Sequence, residues 1–223
     1  MEGEAAHHLG RVLRAQAGQL YELSDGEKVW LARIETAGRD RVEFALLEEV
    51  PAHKPALRVT LLLAIVKFDA FEWAIEKATE LGVTTIVPLA ASRSEKGLLA
   101  AAEKRADRWR KILLEASQQS RRVNVPTLEP AVKPEQALAA HTTGVRLILS
   151  EQQDAPTLRT VLSGKATAVA VMAIGPEGGW TDAEFAAAKS AGFAEASLGR
   201  LILRTETAVI ASLAAVNYAL GAD

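Results

Sequence analysis

The stretch Ile174–Gly179, with the sequence IGPEGG, constrains the fold more than any other part of the chain. The residues before it, Thr167–Ile174, form an almost unbroken apolar run, which predicts a buried strand of a parallel sheet. The residues after it, Thr181–Glu184, have a capping-box pattern, which predicts a helix that begins at Asp182. The glycines therefore lie on a strand-to-helix loop, where open α/β folds place their ligands. An ordinary turn that happens to use glycines remains the alternative explanation.

A second stretch, Leu198–Ala208 with the sequence LGRLILRTETA, also leads from an apolar segment into a helix. We expect the apolar segment to be a further strand of the sheet and Thr205 to be the N-cap of the helix. The helix is predicted from apolar residues that recur at helical spacing. These are Val209, Leu213, Val216 and Leu220.

The order of predicted elements divides the chain in two. From Leu57 onward, apolar strands alternate with helices, which predicts an α/β domain with a parallel sheet over residues 57–223. Residues 1–56 instead predict three short strands joined by tight turns, as in a meander or small barrel. Those strands are expected at Gln19–Leu23, Val29–Glu35 and Arg41–Leu47. Pro51–Pro55 is the predicted linker.

Composition excludes several classes of protein. The chain has no cysteine, which rules out disulfides, thiolate metal sites and cysteine nucleophiles. The four histidines have no metal-ligand spacing, so we expect no metal. No apolar run reaches the roughly 18 residues of a membrane span, and Met1–Gly10 lacks the apolar core of a signal peptide. We therefore expect no membrane association and a cytoplasmic location.

Charge is unevenly distributed along a chain whose net charge is −2. Residues 104–122 contain seven basic and two acidic residues, a local excess of five positive charges. Such a cluster is typical of a surface that contacts phosphates. Considered without the rest of the chain, a solvated helix face is the better explanation of the same cluster.

The two motifs together resemble the bacterial 16S ribosomal RNA uracil-N3 methyltransferases, which belong to the SPOUT superfamily. The resemblance extends to HHL-x-x-VLR from His7, KFD-x-FEW-x-IEKATELGV from Lys67, RSE from Arg93 and QQSRR from Gln118. It thus covers nearly the whole chain. The family usually has some twenty further, often basic, residues before the His7 segment, and only six precede it here, so part of the RNA-contacting surface departs from the family pattern.

The resemblance implies both a fold and an activity. The implied fold is a SPOUT-type parallel sheet with a C-terminal trefoil knot, preceded by a small PUA-like β-barrel domain that binds RNA. The implied activity is methylation of N3 of a uridine in 16S ribosomal RNA, or in the small ribosomal subunit, with S-adenosylmethionine as the cofactor. The implied assembly is a homodimer.

The resemblance also assigns the cofactor site to three loops at strand ends. The expected cofactor-binding residues are Leu149, Ser150, Glu151, Ile174, Gly175, Pro176, Glu177, Gly178, Gly179, Leu198, Gly199, Leu201, Ile202, Leu203, Thr207 and Ala208. For RNA binding, the expected residues are Arg11, Arg14, Lys67, Arg93, Arg121 and Arg122.

Methylation of a uracil N3 requires loss of its proton, which a carboxylate can accept. Glu177 and Glu206 are the candidate carboxylates, and Arg204 is the candidate for stabilising the anionic base. Each of these side chains could serve as the general base, as a clamp for the substrate or as a structural cap, and the sequence does not distinguish the three roles. Acidic residues are also favoured in the first turn of a helix, which would explain Glu206 without any catalytic role.

Two other functions remain open. One is a nucleotide-binding α/β enzyme that holds a phosphate at the helix after IGPEGG. No Walker A or Rossmann glycine pattern accompanies that loop, which weighs against it. The other is a non-catalytic RNA-binding adaptor.

The last helix is expected to form the dimer. Besides its apolar stripe it has a stripe of small residues at Ala208, Ser212, Ala215 and Ala219, which allows another helix to approach closely. The alternative is that both stripes pack inside one subunit.

Overall fold

The computed structural model describes residues 1–38, 40–51 and 55–221. The chain divides into two compact units, one up to residue 54 and one from residue 55 onward. Residues 52–54 of the predicted linker, which include His53, lie outside the described residues. The predicted boundary between residues 56 and 57 stays a prediction.

The first unit is a three-stranded antiparallel meander preceded by a short helical segment. The helix α1 (Gly3–His7) continues into a π-helical turn (His8–Val12). The strands are β1 (Leu20–Ser24), β2 (Val29–Ala37) and β3 (Val42–Val50), paired in that order. In the β1–β2 turn, Asp25 Oδ1 accepts hydrogen bonds from the N–H groups of Glu27 and Lys28. Ala6, Ala15, Ile34 and Val42 form a small core.

The second unit is a six-stranded parallel sheet with helices on both faces. The strand order is β6-β5-β4-β8-β7-β9. The elements in chain order are β4 (Arg58–Ala64), α2 (Phe68–Glu80), β5 (Thr85–Leu89), α3 (Lys96–Gln119), β6 (Thr127–Leu128), α4 (Pro134–Ala140), β7 (Val145–Leu149), α5 (Leu158–Leu162), β8 (Val169–Ile174), α6 (Asp182–Ser190), β9 (Ala194–Ala196) and α7 (Thr205–Leu220).

The apolar runs of the sequence become strands that are buried on both faces. Along β4, Leu61 and Leu63 belong to one core cluster, together with residues of α2, α3, α5 and α7. Leu62 and Ala64 point the other way, into the cluster that includes residues of α4 and α6. Successive side chains of a strand point to opposite faces, so both faces need apolar residues and the sequence shows no alternation.

Strand order brings three loops to one edge of the sheet. Strand β8 lies between β4 and β7, with Ala173 paired to Ile148 and Ile174 paired to Leu63. Strand β7 also pairs with β9, where Leu149 lies opposite Ala196. The carboxyl ends of β7, β8 and β9 are therefore neighbours, at a point where the order of strands along the chain reverses. Open α/β sheets bind ligands at such points.

Two predictions about local structure were wrong. The apolar segment of the second motif forms no strand, because β9 ends at Ala196, where its partner strand β7 also ends. Residues 198–203 are a loop, as the resemblance implied. Thr205 is not the N-cap of α7, a position held by Arg204. The predicted capping box of α6 is confirmed.

The prediction for the faces of α7 also needs correction. Ser212 of the small-residue stripe is fully buried, Ala208 and Ala215 pack against the core, and Ala219 is the exposed member of the stripe. The face opposite the core instead carries Thr207, Ala214 and Tyr218, which are exposed. Within the described residues, no helix is both long and apolar enough to cross a membrane.

Candidate active site

The loops after β7, β8 and β9 enclose a cavity of about 440 Å³. All the residues predicted to bind the cofactor line it except Gly178 and Thr207. Of the three predicted catalytic residues, Glu177 and Arg204 line the cavity and are exposed, whereas Glu206 lies in the first turn of α7 and does not line it. Further lining residues that sequence reasoning did not assign to the cofactor are Arg93, Gln152, Trp180, Asp182, Phe185 and Thr205.

The IGPEGG loop is packed tightly because Gly175 has no side chain. A Cβ at Gly175 would lie 3.0 Å from Cε2 of Trp180. The indole Nε1 of Trp180 donates a hydrogen bond to the carbonyl oxygen of Leu149 at 3.0 Å. The hydroxyl of Thr205 donates to the carbonyl oxygen of Gly175 at 3.1 Å. The ends of β7 and β8 and the start of α7 are thus held together around the cavity.

The third loop, residues 198–204, presents main-chain groups and apolar side chains. Gly199 adopts a φ of +125°, which favours glycine, and its N–H and carbonyl oxygen both bond to the hydroxyl of Ser197. Within the described part of the chain, the N–H groups of residues 200–203 make no hydrogen bond. Leu201 and Ile202 are 83% and 80% exposed. Unpaired N–H groups beside apolar side chains suit a ligand with an aromatic ring and polar edges.

A fourth segment, between β5 and α3, reaches the cavity through Arg93. Its Nη1 donates a hydrogen bond to the carbonyl oxygen of Gly178 at 2.7 Å. The neighbouring Ser92 N–H donates to Oε1 of the buried Glu184 at 2.9 Å. Burial acts to raise the pKa of Glu184, but hydrogen bonds from Ser92 and Thr181 outweigh it and lower that pKa below its usual value. Sequence reasoning assigned Arg93 to RNA and did not link the RSE segment to the cofactor loops.

The residues predicted to bind RNA lie in different environments. Arg11, Arg14, Lys67 and Arg121 are exposed. Arg122 is partly buried, and its Nη1 donates to the carbonyl oxygen of Thr79 at 2.6 Å. Burial lowers the pKa of Arg122, although it remains a cation at neutral pH. Arg122 therefore has a structural partner, and Arg121 is the exposed member of the pair.

Much of the positive charge on α3 is neutralised within the protein. Arg105 and Arg108 both pair with the buried carboxylate of Glu72, at 3.3 and 2.8 Å. Arg110 pairs with Asp107 at 2.8 Å. The solvated helix face is thus the better description of the middle of α3. The described residues hold no group of histidine, aspartate and glutamate side chains arranged to bind a metal ion.

Two family models match the chain, and each corresponds to one of its two compact units. A family model described as "RNA methyltransferase domain" matches residues 53–217, and one described as "RNA methyltransferase PUA domain" matches residues 2–47. The chain is similar to ribosomal RNA small subunit methyltransferase E of Synechocystis sp., with 36% identity covering 96% of this chain and 71% of the relative. The Bacillus subtilis protein of the same name is 29% identical, covering 97% and 88%.

Solved structures resemble the whole chain. The ribosomal RNA small subunit methyltransferase E of Neisseria gonorrhoeae, bound to S-adenosyl methionine, has a TM-score of 0.90 and 33% identity, covering 99% of this chain and 91% of that one. A Legionella pneumophila protein in complex with the bound cofactor SAM has a TM-score of 0.87 and 31% identity, covering 99% and 91%.

Proposed function

Because this chain belongs to the RNA methyltransferase family that includes the ribosomal RNA small subunit methyltransferases E, we propose that it transfers a methyl group from S-adenosylmethionine to N3 of a uridine in 16S ribosomal RNA. Membership confirms the predicted family and the fold class, a SPOUT-type parallel sheet with a knotted C-terminal part and a preceding PUA-like β-domain. The observation that carries the proposal is the cavity, which residues of both family motifs line together.

The cavity fits S-adenosylmethionine in its size and in its chemistry. Leu149, Ile174, Leu198 and Leu203 provide apolar walls for an adenine ring, and main-chain N–H groups of the third loop provide donors for its edge. Glu151 and Asp182 line the same cavity and suit a ligand that carries positive charge. When bound there, the cofactor supplies an electrophilic methyl group.

The chain's own residues can prepare the uracil for reaction. Glu177 lines the cavity and is exposed, so we assign it the role of accepting the N3 proton. Arg204 lines the same cavity, where its guanidinium can stabilise the anionic base. Glu206 is half-buried at the start of α7, and we assign it to the helix rather than to the chemistry.

The alternative of a phosphate-binding enzyme is disfavoured by the start of α6. An anion at a helix N-terminus needs free N–H groups. Here the protein's own Glu184 accepts from the N–H of Thr181, and the side chain of Thr181 accepts from the N–H of Glu184. Asp182 adds a further negative charge at this end. The adaptor alternative leaves the cavity without a role.

We further propose that the protein acts as a homodimer in the cytoplasm, where ribosomal subunits are assembled. Two features support the dimer. Tyr218 on the outward face of α7 is 94% exposed, and Leu201 and Ile202 are almost as exposed beside the cavity. A partner subunit would cover apolar surface of this kind.

The test is methyl transfer from labelled S-adenosylmethionine to small ribosomal subunits and to free 16S ribosomal RNA, followed by nucleoside analysis. We expect label in 3-methyluridine alone. Glu177→Gln should lower kcat about a hundredfold or more, whereas Glu206→Gln, its matched control, should retain most activity. No transfer to either substrate, or label in another nucleoside, would contradict the proposal.

A further inference from the structure

A buried carboxylate, Glu184, joins two segments that are far apart in the sequence. Its side chain is fully buried in the first turn of α6. Oε2 accepts hydrogen bonds from the N–H and the hydroxyl of Thr181, at 2.8 and 2.9 Å. Oε1 accepts the N–H of Ser92, at 2.9 Å. One oxygen thus serves the helix start, and the other holds the segment between β5 and α3.

The residue after Ser92 lies against the IGPEGG loop. Besides the hydrogen bond from Arg93 to the carbonyl oxygen of Gly178, the two residues are in close packing contact. A Cβ on Gly178 would lie 3.2 Å from Cβ of Arg93. Nη1 of Arg93 also lies 3.8 Å from the position of a Cβ on Gly179. The shape of this loop therefore depends on where Arg93 is held.

A capping box does not require the second contact. Reciprocal bonds between Thr181 and Glu184 satisfy the helix start by themselves. Burying a charged group is costly unless hydrogen bonds compensate it, and the Ser92 N–H supplies one of the few donors available to Glu184. A fully buried glutamate with one oxygen committed to a distant loop has a role beyond starting α6.

We infer that Glu184 is a positioning residue for the active site. Through the Ser92 N–H it fixes the segment between β5 and α3, so that Arg93 holds the IGPEGG loop in its binding shape. The identity of the ligand rests on the proposed function. The placement of Arg93 by Glu184 is independent of that function.

The variant Ser92→Pro removes both groups of Ser92 that donate to Glu184, the N–H and the hydroxyl. Ser94 N–H donates to the carbonyl oxygen of Ala91 at 3.0 Å, so residues 91–94 form a β-turn with Ser92 at its second position, where proline is favoured. We expect Ser92→Pro to raise the Kd for S-adenosylmethionine about tenfold, as the loss of a charge-assisted hydrogen bond predicts. Ser92→Ala keeps the N–H and loses only the hydroxyl bond to Glu184, so its Kd should rise much less than that of Ser92→Pro.

Two comparisons separate positioning from plain stability. Thr181→Ala weakens the start of α6 but leaves the Ser92 bond, so it should lower Tm while changing Kd less than about twofold. In a protein that already carries Arg93→Ala, Ser92→Pro should raise the Kd for S-adenosylmethionine by less than about twofold more, because Glu184 acts through Arg93. Two results would show that Glu184 is only a helix cap. One is a Kd that rises in proportion to the loss of Tm across the variants, and the other is a double variant whose increase in Kd equals the product of the increases in Ser92→Pro and Arg93→Ala.

Amide hydrogen exchange tests the contact without any ligand. The Ser92 N–H should be protected in the unmodified protein and should exchange at least about tenfold faster in Glu184→Gln, where an amide N–H replaces one acceptor oxygen. Glu184→Gln also replaces Ser92→Pro in the binding measurements if the proline variant does not fold. A protected Ser92 N–H in a protein that does not bind S-adenosylmethionine would refute the proposed function alone. Rapid exchange of the Ser92 N–H in the unmodified protein would refute the positioning role.

Discussion

At the scale of single residues, Gly175 shows how closely the site is packed. A side chain there would displace the Trp180 ring, because a Cβ would lie 3.0 Å from Cε2. We expect Gly175→Val to weaken binding of S-adenosylmethionine by about a hundredfold, as overpacking by a few kcal/mol predicts. Calorimetry measures the affinity. Gly97→Val is the control, since the nearest atom to a Cβ at Gly97 is 3.9 Å away. Unchanged affinity in a folded Gly175→Val protein would refute this assignment.

Arg121 is held in a conformation that favours glycine. Its φ is 55°, just after the C-cap of α3, and the Arg122 N–H closes the turn by donating to the carbonyl oxygen of Ser117. Glycine is the residue preferred at this position. We therefore expect Arg121→Gly to be more stable to urea than Arg121→Ala by about 1 kcal/mol.

Both Arg121 variants should bind 16S ribosomal RNA more weakly than the unmodified protein, since both lose the same cation. Filter binding at several salt concentrations measures this. Equal RNA affinity in the two variants and the unmodified protein would show that Arg121 serves only the helix end.

Predictability from sequence depends on how far apart the interacting residues are. The capping box of α6 was predicted correctly because Thr181 and Glu184 lie three residues apart and their bonds are local. The place of Arg93 on the cavity was not predicted, because its partner Gly178 is 85 residues away. Most of the lining residues came from the family resemblance, which carries information about distant contacts that spacing lacks.

At the scale of elements, α7 has one face on the core and one face open. Val209, Leu213 and Val216 are fully buried, and the opposite face carries Ala214 and Tyr218. Helical spacing identified the buried face, but it could not decide which of the remaining faces stays open. The strand expected in the apolar segment of the second motif does not form for a related reason, since β9 can extend only as far as β7 accompanies it.

The open face of α7 predicts the effect of a charge on assembly. Ala214→Arg places a cation in the proposed dimer contact, and we expect a monomer that has lost methyl transfer. Light scattering should give twice the chain mass of 23.8 kDa for the unmodified protein and the chain mass for the variant. Ala100→Arg, on the exposed surface of α3, should stay dimeric. A monomeric, fully active unmodified protein would contradict the dimer.

At the scale of the whole molecule, exposed cations occur in both units. Arg11 and Arg14 lie in the first unit, and Lys67 and Arg121 lie in the second. If both units contact one RNA, each lost phosphate contact should lower the salt dependence of log K by about 0.7 to 0.9, and losses in the two units should add. Arg11→Ala/Arg14→Ala and Lys67→Ala/Arg121→Ala test this.

Arg110→Ala is the control for these pairs, because Arg110 is paired with Asp107 and was not assigned to RNA. We expect it to leave the salt slope unchanged. A slope that falls for only one of the two pairs would limit RNA contact to that unit.

The indole of Trp180 has a consequence for spectroscopy. The chain has four tryptophans, and Trp180, which is 5% exposed, is the one that lines the cavity. Its emission arises from a nearly dry environment in the cavity wall, whereas Trp30, Trp73 and Trp109 do not line the cavity. Occupancy of the cavity can thus be followed by intrinsic fluorescence, with no label attached to protein, cofactor or RNA.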